Sequence, residues 1–147
     1  MPDFIMPDFI LITGDSVIFN PTFGKAIVVV RPDIFLTGTG EATVNKKTIC
    51  IDGDEQEEVP GCPYTSPPFV TPGTGTLSIQ SLAPNQKATR VKSRGKAVLL
   101  KGTTFTAKFQ VMVPAMQPSI PVPIPDPLLL YTGTGTFITT NFRAKAT

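Results

Sequence analysis

Proline and glycine interrupt this chain so often that a long α-helix is incompatible with it. The 147 residues include 16 prolines and 12 glycines, and inside a helix a proline costs about 3 kcal/mol and a glycine about 1 kcal/mol. No window of ten or more residues free of both repeats its apolar side chains at helical spacing. Because 41% of the residues are hydrophobic, the chain can still bury a core. We therefore expect an all-β protein folded as a single compact domain over residues 1–147.

Short runs of β-branched and aromatic residues indicate the strands. The clearest is Phe105–Val113, in which apolar residues alternate with mostly polar ones, as in a strand that buries one face. The other predicted strands are 9–12, 17–20, 26–30, 34–36, 42–44, 47–51, 76–80, 87–92, 97–101 and 136–142.

Residues 114–127 differ from the rest because six of them are proline. Such a segment cannot donate a full ladder of hydrogen bonds and is extended or polyproline-like. Since Ile120, Val122 and Ile124 alternate with prolines, we expect a strap that lies over the protein with one face packed against it. The alternative is a docking ligand for an aromatic groove.

A Gly-Thr-Gly sequence occurs three times, each time before a predicted strand. A phosphate-binding glycine loop needs a helix after it, and the β-branched residues that follow predict strands instead. Glycine permits both positive φ and close backbone approach. We therefore expect tight structural turns at Gly38, Gly40, Gly73, Gly75, Gly133 and Gly135.

The chain has no histidine, which excludes Ser–His and Cys–His nucleophiles and histidine-bound metals. Five acidic residues lie between the two cysteines, but a loop offers no rigid platform for a pair of catalytic carboxylates. We therefore expect no enzymatic activity; a small hydrolase would require that substitution of one of these acids abolish turnover. The acidic residues are Asp52, Asp54, Glu55, Glu57 and Glu58.

Cys50 and Cys62 are the only cysteines. They are ordinary buried or turn thiols, a disulfide of a protein that works outside the cell, or part of a metal site completed by carboxylates or a second chain.

Basic residues concentrate in the second half of the chain. Nucleic-acid binding would need stacking aromatics among them, and residues 87–101 contain none. We expect no nucleic-acid partner and interpret the basic residues as solvated strand faces opposite the acidic loop.

The first ten residues repeat Met-Pro-Asp-Phe-Ile. Asp3 and Asp8 interrupt the apolar run, so this is not a signal peptide, and no apolar run is long enough for a transmembrane helix. Residues 1–8 form a duplicated extension, which reflects a second translation start at Met6, a scar of cloning or gene prediction, or a native addition to an edge strand. We expect synthesis in the cytoplasm without a signal peptide.

Residues 37–54 read TGTGEATVNKKTICIDGD, and residues 95–102 read GKAVLLKG. In these segments the chain resembles the PAAR and PAAR-like proteins, which tip the spikes of contractile injection systems and type VI secretion systems. The resemblance is carried by a hairpin closing on Gly-Asp, and it extends more loosely over residues 61–142. The matching positions are Gly40, Val44, Asn45, Lys46, Gly53 and Asp54, with an earlier Gly14-Asp15.

The resemblance implies a rigid, cone-like β domain that caps a trimeric β-helical spike, one tip per trimer, and sharpens it for membrane puncture. It implies docking by strand addition, with the three Gly-Thr-Gly sequences as three corners of the cone. The implied partners are the spike, a separate effector and, transiently, the target membrane; the protein would be assembled into the particle and act outside the producing cell. Another phage-tail or baseplate β adaptor, or a carbohydrate-binding module, is the alternative.

The chain departs from the family pattern in two respects. It lacks the Pro-Ala-Ala-Arg tetrapeptide, and it lacks the histidines with which such tips bind zinc. We therefore expect no zinc and no other cofactor. From the family, Cys50 and Cys62 carry over as apex thiols or as a disulfide.

Overall fold

A computed structural model describes residues 7–31 and 34–147. It is nearly all β, which confirms the predicted fold class, and its main sheet curls into a half-barrel. The strands are β1 (Asp8–Phe9), β2 (Ser16–Phe19), β3 (Thr22–Phe23), β4 (Ala26–Val28), β5 (Thr43–Val44), β6 (Lys47–Thr48), β7 (Val59–Ser66), β8 (Phe69–Ser81), β9 (Lys87–Ser93), β10 (Lys96–Leu99), β11 (Phe105–Val113), β12 (Met116–Gln117), β13 (Ile124–Pro125), β14 (Leu130–Ile138) and β15 (Lys145–Ala146). A single turn of 3-10 helix covers Pro84–Gln86.

The main sheet is antiparallel, with the order β2-β14-β11-β8-β7-β4-β3. The short hairpin β12–β13 joins it through β8. The long strands β8, β11 and β14 lie side by side at its centre.

The predicted strand Phe105–Val113 is β11, with the same bounds. Phe105, Ala107 and Phe109 are buried, as the alternation predicts, because successive side chains of a strand point to opposite faces. They pack with aromatic side chains from other strands, among them Phe19 at 5.5 Å and Tyr64 at 5.1 Å between ring centroids. The inner face of the curled sheet is therefore the main core.

A second, smaller core lies beside the end of the sheet where β11 begins. The pairs β1–β15, β5–β6 and β9–β10 surround it, and single bridges such as Ile10–Leu100 and Ile51–Val98 close it. Its buried members are Ile10, Ile12, Ile49, Ile51, Ala88, Val98, Leu100 and Ala146. Several predicted strands, including 9–12 and 47–51, are thus short pairs extended by isolated bridges.

Four of the six Gly-Thr-Gly glycines are not turns. Gly73 and Gly75 lie within β8, and Gly133 and Gly135 lie within β14; the prediction of turns there is wrong. Gly38 and Gly40 lie in the irregular segment before β5. All six are instead places of close approach.

The predicted strands do not include β7 or the first half of β8. Pro60 and Pro63 lie within β7 and Pro72 within β8. The register of the β7–β8 pair shifts twice, and such bulges accommodate residues that cannot donate to the ladder. At the other end of the chain, β14 stops at Ile138 and does not reach residue 142 as predicted.

The expected strap is a protruding hairpin. Residues 116–125 form β12, a turn and β13, and Ile120, Val122 and Ile124 are all exposed. The expectation that these three side chains pack against the protein is wrong, because the prolines at 118, 121 and 123 lie in the exposed turn region, away from the sheet.

The first copy of the N-terminal repeat lies outside the described residues. In the second copy, Asp8 and Phe9 pair with Ala146 and Lys145. Among the residues described, no helix has the length and apolar character needed to cross a membrane.

Candidate docking surface

Charged residues are confined to part of this sequence. Residues 59–86 contain no Asp, Glu, Lys or Arg, and residues 109–142 contain one, Asp126. The strands β7, β8 and β14 and most of β11 fall in these two stretches and are neighbours in the sheet. Asp126 is only 3% exposed, so the two stretches present no charged side chain to solvent.

Apolar side chains are exposed where these stretches meet, at the end of the sheet where β11 finishes. Strand pairing brings them together: Val113 lies opposite Thr74, and Met116 lies opposite both Thr71 and Pro125. An exposed apolar cluster of this kind on a monomer marks an interaction surface. We call it the apolar end, and its members are Val70, Met112, Val113, Ile120, Val122, Ile124, Leu128, Leu129 and Leu130.

The β12–β13 hairpin is the most prominent part of the apolar end. Ile120 is 97% exposed and Val122 is 67% exposed. Since proline fixes φ, the prolines of the turn reduce the conformations open to these side chains. The hairpin therefore presents apolar surface that is already stiff before any partner binds.

A buried carboxylate fixes the base of this hairpin. The hydroxyls of Tyr64 and Tyr131 donate to Oδ2 of Asp126 at 2.9 and 2.6 Å, and the N–H of Leu128 donates to Oδ1 at 3.0 Å. On the other arm, the N–H of Ala115 donates to the Tyr64 hydroxyl at 3.0 Å. The carbonyl of Ala115 accepts a hydrogen bond from the N–H of Asp126 at 2.8 Å. The two arms are thus tied to each other and to the core.

Both tyrosines remain hydrogen-bond donors over the ordinary pH range. Burial raises the pKa of Tyr64 to about 12 and also raises the pKa of Tyr131; the bond to Asp126 acts in the same direction on both. A phenol with a raised pKa keeps its proton at neutral pH. The anchoring of the hairpin is therefore not disturbed by titration of these two groups.

The opposite end of the sheet carries the positive charge. Strand β11 has nine residues, which span about 27 Å, and the small core with its hairpins lies beyond its first residue. We call this region the cationic end, and its members are Arg90, Lys92, Arg94 and Lys96 of the β9–β10 hairpin with Lys46 and Lys47 of the β5–β6 hairpin, all exposed.

The acidic loop contacts the cationic end at its base. Lys87 forms an ion pair with Asp52 at 3.2 Å, so the interpretation that basic residues face the acidic loop is confirmed for this pair. Asp54 accepts the N–H groups of Thr39 and Ile51 at 2.9 and 2.8 Å and the Thr39 hydroxyl at 2.7 Å. This carboxylate therefore holds the loop together.

Glu55, like Asp54, holds the acidic loop together. It is buried and accepts the N–H of Gly53 at 2.8 Å. Burial is the main reason why the pKa of Glu55 is raised. Gly53 itself has a φ of +106°, a conformation that favours glycine.

The hairpin on which the family resemblance rests is a tight two-residue turn. Val44 pairs with Lys47, and Asn45 and Lys46 between them have φ values of +51° and +66°. Positive φ at both central residues is the geometry of a type I′ turn, for which Asn is a preferred first residue. Gly14-Asp15 also has a structural part, since the Asp15 carboxylate accepts the N–H of Ile12 at 2.8 Å.

Cys50 and Cys62 are free thiols buried in the main core. They form no disulfide, and they do not lie at an exposed apex. Burial is the main cause that raises the pKa of both thiols. Within residues 7–31 and 34–147 no three cysteine, aspartate or glutamate side chains are grouped so as to hold a metal ion. In that part of the chain Cys50 and Cys62 therefore do not belong to a three-ligand cluster.

Sequence reasoning missed the apolar end as a site. It noted the prolines of residues 114–127 but not the contribution of Val70, Met112 or Leu128–Leu130. The sequence feature that could have indicated this surface is the near absence of charged residues from 59–86 and 109–142. A surface without charge over such lengths is unusual for a soluble monomer.

Comparison with known proteins gives one finding. No curated protein matches the sequence. The model of one protein family, described as contractile injection system spike tip protein, matches residues 6–147, which leaves out only the first five residues. The chain therefore belongs to the family of contractile injection system spike tip proteins.

Proposed function

We propose that this protein caps a trimeric β-helical spike, one tip per trimer, and leads the spike through the target membrane. Family membership implies association with the spike or the injection apparatus and assembly into the particle. A curled β-sheet whose interior holds interlocking aromatic rings supports a mechanical role, because tightly packed cores have low compressibility.

The observation that carries the proposal is the apolar end. Its nine side chains are between 46% and 97% exposed, and covering them would contribute on the order of 10 kcal/mol at about 25 cal/mol per Å² of apolar area. Part of that contribution offsets the loss of freedom on association. We propose that the apolar end contacts the blunt end of the spike.

The contact is made mainly by side chains. Strand addition was expected from the resemblance, but β13 includes Pro125, and Pro121 and Pro123 precede it closely. Since proline has no N–H, this edge is a poor template for main-chain pairing. The resemblance also implies three corners at the Gly-Thr-Gly sequences, but four of their glycines lie within β8 and β14.

We propose that the role involves no turnover and no cofactor. The buried side-chain donors and acceptors of the residues described all have hydrogen-bond partners. Asp54 and Glu55, two of the acidic residues that a hydrolase could use, accept hydrogen bonds from backbone N–H groups.

The test is to mix the protein with the trimeric spike protein of the same particle and to measure the mass of the complex by native mass spectrometry. We expect one tip per three spike chains. The variant Ile120→Glu/Val122→Glu should lose the complex, because a charged side chain is costly to bury in an apolar contact.

Ile138→Glu is the matched control, because Ile138 is an exposed apolar residue at the other end of β14. It should still bind the spike. If Ile138→Glu abolishes binding while Ile120→Glu/Val122→Glu does not, the apolar end is not the docking surface. If the wild-type protein binds a baseplate subunit and not the spike, the capping function itself is wrong and the protein is an adaptor.

A further inference from the structure

The cationic end presents an uncompensated cluster of positive charge. Four basic residues occur within residues 90–96, and the whole segment 87–125 contains no acidic residue. Residues 89–92 and 94–96 are exposed, so the outer part of the β9–β10 hairpin stands clear of the body. Its turn has positive φ at Arg94 (+51°) and Gly95 (+75°), as in a type I′ turn.

The acidic groups near this hairpin neutralise little of its charge. Asp52 pairs with Lys87, and Asp54 is held by backbone and hydroxyl donors. Glu41 is exposed, and its own N–H donates to Ser93 beside the turn. Against Glu41 stand six exposed basic side chains of the cationic end.

Apart from the ion pair of Lys87 at its base, the hairpin is held by hydrogen bonds to backbone oxygens. Nε of Arg94 donates to the carbonyl of Thr39 at 2.9 Å, and the N–H of Arg90 donates to the backbone oxygen of Thr147 at 2.9 Å. These contacts fix the turn and one strand of the hairpin. The ammonium and guanidinium groups of Lys92, Lys96 and Arg90 remain available to a negatively charged surface.

We infer that the cationic end binds the anionic headgroups of the target membrane, before the membrane is penetrated. This inference rests on the proposed function: if the apolar end, where β11 finishes, is covered by the spike, the cationic end, beside the small core beyond the first residue of β11, is the surface that meets the membrane first. Basic residues close to a bilayer are attracted by its negative surface potential.

A membrane fits the cationic end better than a nucleic acid does. Single-stranded nucleic acids are bound by basic grooves that also carry stacking aromatic rings, and residues 87–101 contain no aromatic residue. The exposed apolar residue of the hairpin is Val91, between Arg90 and Lys92, which offers a small apolar contact and no stacking platform.

The test is sedimentation of the intact protein with vesicles of about 30% phosphatidylglycerol in phosphatidylcholine. We expect binding at about 0.05 M salt, loss of binding at about 0.5 M salt, and no binding to pure phosphatidylcholine, because the attraction is screened by salt. The variant Arg90→Gln/Lys92→Gln should bind about 30-fold more weakly.

Lys25→Gln/Lys108→Gln is the control of equal net charge, since these two lysines lie outside the cationic end, in the β3–β4 turn and in β11. It should bind vesicles within about twofold of the wild type. Equal losses in the two variants, or no binding by the wild type, would overturn the inference. A competition with an oligonucleotide would also overturn it. If the oligonucleotide displaces the protein from the vesicles at a lower phosphate concentration than added free lipid does, the surface binds nucleic acid instead.

The two proposals fail separately. Arg90→Gln/Lys92→Gln should still form the complex with the spike, whereas Ile120→Glu/Val122→Glu should still bind vesicles. A protein that binds vesicles but not the spike would contradict the proposed function and leave the charge-based contact in place.

Discussion

The glycines of the Gly-Thr-Gly sequences are needed for the space that they leave open. A Cβ on Gly135 would lie 2.4 Å from Cζ of Phe105, and one on Gly75 would lie 2.4 Å from Cζ of Phe109. Phe105 lies directly opposite Gly135 in the β11–β14 pair. The sequence shows that glycine recurs, but the phenylalanines that cover Gly75 and Gly135 lie about 30 positions away along the chain, so the reason for these two glycines appears only once the strands are paired.

Gly135→Ala should therefore destabilise the protein by about 3 kcal/mol, because the methyl group would overlap the ring and also the carbonyl of Ile18, 2.5 Å away. Gly61→Ala is the control: that glycine has positive φ and nothing within 4 Å of its Cβ position, so it should lose about 1 kcal/mol. Thermal and urea unfolding measure both. Equal losses would show that backbone conformation, and not the phenylalanine ring, requires these glycines.

Glu55 makes the stability of the protein depend on pH. Its pKa is raised in the folded state, mainly by burial, so folding favours the protonated form. That contribution is present in full below the pKa of the unfolded carboxyl and is lost as the pH rises through the folded value. Glu55→Gln, which keeps an acceptor for Gly53 but cannot ionise, should gain stability over the wild type as the pH rises from about 4 to about 8.

Urea unfolding at several pH values measures this difference. Glu58→Gln, at an exposed position of the same loop, should follow the pH dependence of the wild type. If Glu55→Gln and Glu58→Gln behave alike, Glu55 is not the group responsible.

At the scale of the element, the β12–β13 hairpin shows what a proline-rich sequence can and cannot predict. The prolines correctly indicate that residues 114–127 do not form a long strand, since β12 and β13 have two residues each. They do not reveal the direction of the hairpin, which is set by the bonds of Asp126 to Tyr64 and Tyr131. By contrast, β11 is predicted with its full bounds, because alternation within one strand is local information.

Asp126→Asn should destabilise the protein by about 2–3 kcal/mol. The carboxylate of Asp126 accepts hydrogen bonds from two tyrosine hydroxyls, and a neutral amide would replace it as their partner. Spike binding should weaken in parallel as the base of the hairpin loosens. Tyr131→Phe removes one of the same bonds and should cost about 1 kcal/mol. Denaturation and limited proteolysis within residues 116–125 measure the effects; an Asp126→Asn protein as stable and as resistant as the wild type would show that the network does not anchor the hairpin.

At the scale of the whole molecule, the segment around Ile10 is fastened to residues 141–144. Asn141 is completely buried, and its Nδ2 donates to the carbonyls of Ile10 and Ala144 at 2.9 and 2.8 Å. Its Oδ1 accepts the N–H groups of Arg143 and Ala144. Nothing in the local sequence predicts this, since residues 136–142 suggest a strand and Ile10 lies 131 positions away.

Asn141→Ala should cost about 2–4 kcal/mol and open the β1–β15 pair first. Hydrogen exchange should show lost protection at Ile10 and Ala144 while β11 stays protected. Asn20→Ala is the control, because Asn20 is exposed and accepts one backbone bond. Uniform loss of protection across both regions would indicate that the small core and the main sheet unfold as one unit.

The pairing of β1 with β15 also determines where added polypeptide would be carried. The last residue, Thr147, accepts a hydrogen bond from Arg90 and so lies beside the cationic end, far from the apolar end. Under the proposed function, a fluorescent or enzymatic domain joined after Thr147 would leave the apolar end free to contact the spike. A domain inserted between Ile120 and Pro121 would instead cover the apolar end and should prevent binding to the spike.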